Sequence, residues 1–216
     1  MGIPASVTAI KVFNWLATLW RGSIELKSPM LYVLSFIILF SIGGLTGIPL
    51  ATLATDVFLH DTYFIVAHFH YTMQGGTVIA LLGGIHFWYP KITGKMYSEK
   101  VAVFGWILLV IGFNLTFIPQ FVIGLEGMPR RYFDYLPQFA TGHFISTVGS
   151  WINGAAYLII FGNLLVSTKK GEKAQPNPWR SLSMEWQTSS PPPTENFVGK
   201  IEFPDSIYSY SSKKGG

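Results

Sequence analysis

The sequence predicts an all-α integral membrane protein with about four complete spans plus one partial span, and three observations carry that prediction. Half of the 216 residues are hydrophobic, 12% are charged and mean hydropathy is +0.38, whereas a soluble domain carries about 25% charge. Four apolar runs (30–53, 62–89, 101–125 and 139–166) each hold the roughly 20 residues needed to cross about 30 Å of hydrocarbon. Basic residues between those runs fall mostly on one side of the alternation, as the positive-inside rule expects of a protein with several crossings.

In chain order, 3–20 is apolar but interrupted by Lys11, and reads as the partial span. Arg21 and Lys27 follow it, and Lys91, Lys95 and Lys100 lie two crossings later. Lys169, Lys170 and Lys173 lie two crossings later again. The opposite side holds Arg130 and Arg131 beside Asp56, Asp61, Glu126 and Asp134. The lysine loops and the C-terminal tail are therefore expected in the cytoplasm, and the mixed-charge cluster outside. Pro49 and Pro119 are tolerable in membrane helices, where neighbouring groups satisfy the freed carbonyls. Trp15, Trp20, Trp88 and Tyr89 stand near expected helix ends, where aromatic belts form. The membrane part is expected over 1–168 and a Pro/Ser-rich extended tail over 169–216. Trp179, Trp186, Phe197 and Phe203 favour a tail laid over partner surfaces instead of free coil.

Composition excludes some functions. The chain has no cysteine, so disulfides, thiolate metal sites and cysteine nucleophiles are out, and any metal needs His, carboxylate or carbonyl ligands. A scattered net charge of +4 is not a nucleic-acid surface. Met1 leads into an uncharged stretch without a basic n-region or small-residue cleavage site, so no cleavable signal is expected.

The most informative residues are His68 and His70. At about 100° per residue, positions i and i+2 of a helix point about 200° apart. The two imidazoles cannot share one metal, but each can ligate a different one on opposite faces. Histidine at membrane depth is costly and rare; the bland alternative is a pair of core histidines hydrogen-bonded to neighbouring helices. His60-Asp61 offers imidazole and carboxylate for a hard divalent ion, or a solvated histidine beside a helix-capping aspartate. Arg130 and Arg131 offer two guanidinium forks for carboxylates, or ordinary pairing with Asp134 and Glu126. The Gly127-Met128-Pro129 turn would aim the pair back toward the membrane. Lys11 must face water or a partner, or snorkel to the interface. His86 reads as interfacial and His143 as a helix-start histidine. The Gly75-Gly76 pair would permit close helix approach.

The stretches KVFNWLATLW, FSIGGLTGIPLA, HDTYFIVAHFHY, NLTFIPQFVIGLEGMPRRYFDY and MEWQTSSPPP together resemble the C-terminal part of subunit I of the haem-copper oxidases, of the cytochrome c oxidase type. The resemblance spans essentially the whole chain. It implies the C-terminal transmembrane helices of a twelve-helix bundle. It also implies that His68 is the axial ligand of a high-spin haem and His70 that of a low-spin haem, both A-type, with Phe69 between them. His60 and Asp61 would be ligands of a magnesium or manganese ion. Arg130 and Arg131 would bind haem propionates, and Thr8 with Lys11 would line a proton path. Pro4 sits farther from the lysine than in the commonest family pattern. After His70-Tyr71, the Thr72-Met73-Gln74 stretch departs from the more apolar run of relatives.

The resemblance further implies a catalytic subunit that oxidises cytochrome c, reduces oxygen to water and pumps protons across a bacterial plasma membrane. Its partners would be the N-terminal part of subunit I, subunits II and III, cytochrome c and the bilayer, with no nucleic acid. Copper at the oxygen site needs histidines from outside this chain, so the chain alone is expected to be inactive, and a split gene or a truncated sequence is expected. The alternatives are a quinol oxidase of the same fold and a non-catalytic haem-binding or assembly fragment.

Overall fold

The computed structural model describes residues 3–197, with side chains from Thr8 onward; Phe203 and the tail beyond 197 lie outside the described residues. The helices are α1 (Ile3–Leu19), α2 (Ser28–Ala51), α3 (Leu53–Leu59), α4 (Tyr63–Thr72), α5 (Ile79–Thr93), α6 (Glu99–Leu125) and α7 (Ala140–Lys170). A π-helical turn, Met73–Val78, joins α4 to α5, and short 3-10 turns occupy Pro137–Phe139 and Met184–Trp186. The fold is an all-α integral membrane fold. Three helical stretches, Ser28–Ala51, Glu99–Leu125 and Pro137–Lys170, are each long and apolar enough to cross a bilayer. The expected 62–89 span is instead built from pieces of 10, 6 and 15 residues, because the π turn interrupts it.

The described residues form two compact units, 3–86 with 99–163, and 87–98 with 164–197. In the first, α4 packs between α2 and α6, and small residues set the spacing. A Cβ on Gly43 would stand 2.9 Å from the Thr72 backbone nitrogen, and one on Gly75 would stand 3.0 Å from Leu39 Cβ. The expected close approach at Gly75-Gly76 is thus made against α2, with Phe40 packed on Gly76. Gly112 lies against the Asn153 backbone, so α6 and α7 also meet at close range. Trp15 anchors α1 to α2 by packing on Phe36, with ring centroids 5.0 Å apart.

Glu99 ties two helix starts together. It lies in the first turn of α6, and its carboxylate accepts from the Ser28 backbone N–H at 2.6 Å and from the Ser28 hydroxyl at 3.0 Å. A carboxylate at a helix N-terminus satisfies orphan N–H groups and complements the helix dipole, and this one serves both α2 and α6. Pro119 and Pro90 each remove an intrahelical donor. Beside each break, a carbonyl next to the freed one takes a side-chain donor: Ser146 Oγ donates to Thr116 O at 2.8 Å, and Trp179 Nε1 donates to Phe87 O at 2.8 Å.

The second unit folds the described tail back onto the end of α5. Lys95 opposes Lys173 in an isolated bridge, the Met96 N–H donates to Glu172 O at 2.8 Å, and the Ala174 N–H donates to Gly94 O at 2.9 Å. Trp186 is buried, at 2% exposure, and packs edge-on against Phe87. Lys91, which the sequence presents as an ordinary loop charge, is only 7% exposed. Tyr89 is also buried, donating to Leu164 O at 2.7 Å, whereas Trp88 remains exposed. His86 is fully buried in the first unit, beside Tyr32, with Nδ1 2.7 Å from Leu82 O.

Candidate functional site

The site begins with how α4 is started. Thr62 caps it, its hydroxyl accepting from Phe64 N–H at 3.3 Å while donating to Leu59 O at 2.7 Å. The loop after α6 then pairs with this start: Tyr63 N–H donates to Met128 O at 3.0 Å, and Arg130 N–H donates to Asp61 O at 2.9 Å. Gly127, at φ 88°, supplies the left-handed residue that turns the chain back. Asp61 and Arg131 also stand at positive φ, 55° and 69°. Aspartate tolerates this region; an arginine there carries strain of order 1–3 kcal/mol, the kind retained at functional sites.

Between these fixed ends, both histidine rings are oriented by their Nδ1 atoms. His70 Nδ1 lies 2.8 Å from Val66 O, one turn back on its own helix. A carbonyl can only accept, so Nδ1 carries the proton and Nε2 keeps its lone pair. His68 Nδ1 lies 3.2 Å from Thr46 Oγ1 on α2. That hydroxyl already points at Ile42 O (3.0 Å) and Gly43 O (2.9 Å), so it accepts from His68, and Nε2 is again left as the lone-pair nitrogen. Such anchoring of one ring nitrogen is how ligand histidines are held. Gly47 leaves the room His68 needs, since a Cβ there would stand 2.9 Å from His68 Cε1. Phe117 stacks on the His70 ring at 4.2 Å, and Phe69 packs against it at 4.4 Å. Two Nε2 nitrogens not engaged by the partners of Nδ1, on opposite faces of one helix, form a donor set that suits two separate metal centres and not one shared ion.

The polar cluster sits at the start of this helix. Arg130 closes on a single carboxylate oxygen: Nη2 and Nε are 2.6 Å and 2.8 Å from Asp61 Oδ1. This hydrogen bond, ahead of the charges of Arg130, His60 and Arg131, holds the Asp61 carboxyl below its ordinary value of 3.8. The other oxygen, Oδ2, faces His60 Nε2 at 3.5 Å, and His60 Nδ1 lies 3.7 Å from Asp56. Among the described residues no three His, Cys, Asp or Glu side chains converge as a metal-binding group. An ion at His60 and Asp61 would therefore need water or donors from elsewhere. Arg131 is exposed, and its backbone is left-handed. Lys11 is exposed on α1, and Thr8 lies one turn before it.

Sequence reasoning missed Thr46 and Gly47, which orient and admit His68 from α2, and Phe117, which stacks on His70. FSIGGLTGIPLA contains the first two, but only the helix contact reveals their partner.

Fold and site together define an all-α membrane protein presenting two ligand-competent imidazoles from one helix. Residues 1–152 match the family described as Cytochrome C and Quinol oxidase polypeptide I, and the chain belongs to that family. Cytochrome c oxidase subunit 1 of Bacillus sp. (strain PS3) is 48% identical over 194 residues, covering 88% of this chain and 32% of that protein. The protein of the same name from Synechocystis sp. is 47% identical over 190 residues, covering 88% and 34%. The chain thus spans about a third of the length of the curated relatives it matches. In fold it is similar to the cryo-EM structure of a heme-copper terminal oxidase dimer, with a TM-score of 0.62, 22% identity, and coverage of 72% of this chain and 29% of that one.

Proposed function

We propose that the chain is the C-terminal segment of the catalytic subunit of a terminal respiratory oxidase. In it, His70 would be the axial ligand of a low-spin haem and His68 that of a high-spin haem. The observation that carries this reading is the pair of Nδ1-anchored imidazoles two residues apart on α4. The resident haems and copper would supply electron transfer and oxygen chemistry. The residues of this chain would fix spacing, tautomer and local charge. Phe69 would lie between the two haems, and Arg130 and Arg131 would bind propionates. His60 and Asp61 would contribute to a magnesium or manganese site, and Thr8 with Lys11 would line a proton path. The copper ligands would come from the N-terminal part of the subunit. In this reading the path α4–α5 is the second of four complete crossings, after α2 and before α6 and α7, and α1 is the partial one. The lysine loops and the 169–216 tail lie in the bacterial cytoplasm, and subunits II and III complete the complex.

Cytochrome c is the electron donor in this reading, supported by the names of the relatives with 43–48% identity. In the assembled enzyme, His70→Ala should abolish the low-spin haem absorption band while His68 still retains the high-spin one. An unchanged low-spin spectrum would overturn the assignment.

A further inference from the structure

Lys91 is the least expected side chain in the molecule. Its ammonium is withdrawn from water, at 7% exposure, and although the Glu185 carboxylate acts on it electrostatically, no carboxylate among the described residues stands within ion-pair distance of it. Instead Nζ donates to three backbone carbonyls of the tail: Thr188 O at 2.9 Å, Pro176 O at 3.2 Å and Ser189 O at 3.2 Å. The same nitrogen stands 4.8 Å from the centroid of the Trp186 ring, within range of a cation–π contact. An ammonium has three N–H donors and no acceptor. All three are used, so nothing remains for binding an anion or moving a proton. A buried charge satisfied to this degree orders the segments that supply its acceptors, because removing it would leave those segments without their common partner.

The acceptors lie 85 to 98 positions from Lys91 and come from two places in the tail, Pro176 and the adjacent Thr188 and Ser189, and the rest of the tail converges on the same place. Trp179 donates to Phe87 O and stacks on the Phe87 ring. Trp186 also packs on the Phe87 ring, edge-on, with centroids 5.2 Å apart. Ser190 Oγ donates to Pro176 O at 3.2 Å, so one carbonyl receives both Lys91 and Ser190. Thr188 Oγ1 donates to Asn196 O at 2.6 Å, carrying the closure on toward residue 197.

We propose that Lys91 is a staple that closes residues 176–197 as a strap over the end of α5. The tail is then a folded cap whose closure depends on one ammonium. The lysine is a positioning residue and touches no reacting group. The inference rests on the second unit alone, so it survives failure of the haem assignment.

Two measurements on the full chain in its assembled, detergent-solubilised complex test it. Amine acetylation read by mass spectrometry should label Lys91 at least tenfold more slowly than the exposed Lys169, Lys170 and Lys173; equal rates would overturn the proposal. Lys91→Met should raise amide exchange over 176–189 at least tenfold and speed tryptic cleavage after the exposed Arg180 to a similar degree. Exchange in α6 should stay unchanged. Unaltered tail exchange in that variant would overturn the staple even if Lys91 resists acetylation. Should Lys91→Met fail to accumulate, Trp186→Leu removes the π face while keeping an apolar filler. It should make Lys91 acetylate at least severalfold faster, and an unchanged rate would count against the proposal.

Discussion

Asp61 carries more connections than any other residue of the outer cluster. Its backbone carbonyl accepts from Arg130 N–H, its Oδ1 accepts from the Arg130 guanidinium, and its Oδ2 faces His60. The depressed carboxyl pKa follows first from the hydrogen bond to Arg130. Its folded pKa lies below the unfolded one, so the pair's contribution is fully present above about 3.8. It disappears as pH falls through the folded value. Arg130→Gln should therefore move the Asp61 titration back up toward 3.8, readable by carboxyl infrared or carbon NMR of the labelled residue. A titration that stays where it was would mean that the neighbouring charges, not the hydrogen bond, set it. The same residue explains how a site can be half legible. His60-Asp61 and Arg130-Arg131 stood out as motifs, but their direct pairing depends on two left-handed residues, Asp61 and Arg131, whose backbone angles no composition rule specifies.

At the scale of elements, apolar run length located α2, α6 and α7 within a few residues, since a membrane helix must satisfy every backbone group internally. It did not locate the boundaries set by polar contacts. α2 begins at Ser28 because Glu99 caps it from 71 positions away, and α7 runs on to Lys170 because Lys95 Nζ donates to Lys169 O at 2.8 Å. Nor did it reveal the π turn at Met73–Val78, whose close contacts with Leu39 and Phe40 belong to another helix. Such turns gather at functional sites, and this one directly follows the two histidines. The Glu99 link gives a test of how much an unseen contact contributes. Glu99→Ala removes two hydrogen bonds, one of them to a helix-start N–H. It should destabilise the first unit by about 1–3 kcal/mol, measured by thermal unfolding in detergent. Glu99→Gln should recover part of the loss by keeping an acceptor. If the alanine variant melts like the parent, the cap is decorative and α2 starts at Ser28 for reasons of hydropathy and Pro29 alone.

At the scale of the whole molecule, the five histidines decide what the chain can do unaided. His68 and His70 diverge across α4. His86 is buried against Tyr32, and His143 is held between Tyr63 and Tyr135, with ring centroids 5.0 Å and 4.1 Å away. His60 lies beyond the helix start with Asp56 and Asp61. Among the described residues no imidazole cluster stands beside either member of the pair, so a copper ion held by several imidazoles would have to take them from elsewhere. The outward faces point the same way: Phe13, Leu45, Trp151 and Leu158 are 69%, 66%, 70% and 78% exposed, on three different helices. Lipid can cover such side chains, but lipid supplies no nitrogen ligands. Expressed by itself and supplied with haem, the chain should therefore insert into membranes yet consume no oxygen above background with reduced cytochrome c. Co-expression with the remaining part of a relative's subunit I should be required before either haem band appears with native intensity. Oxygen uptake by the isolated chain would show that its own five histidines suffice, and the proposed division of ligands between two segments would have to be abandoned.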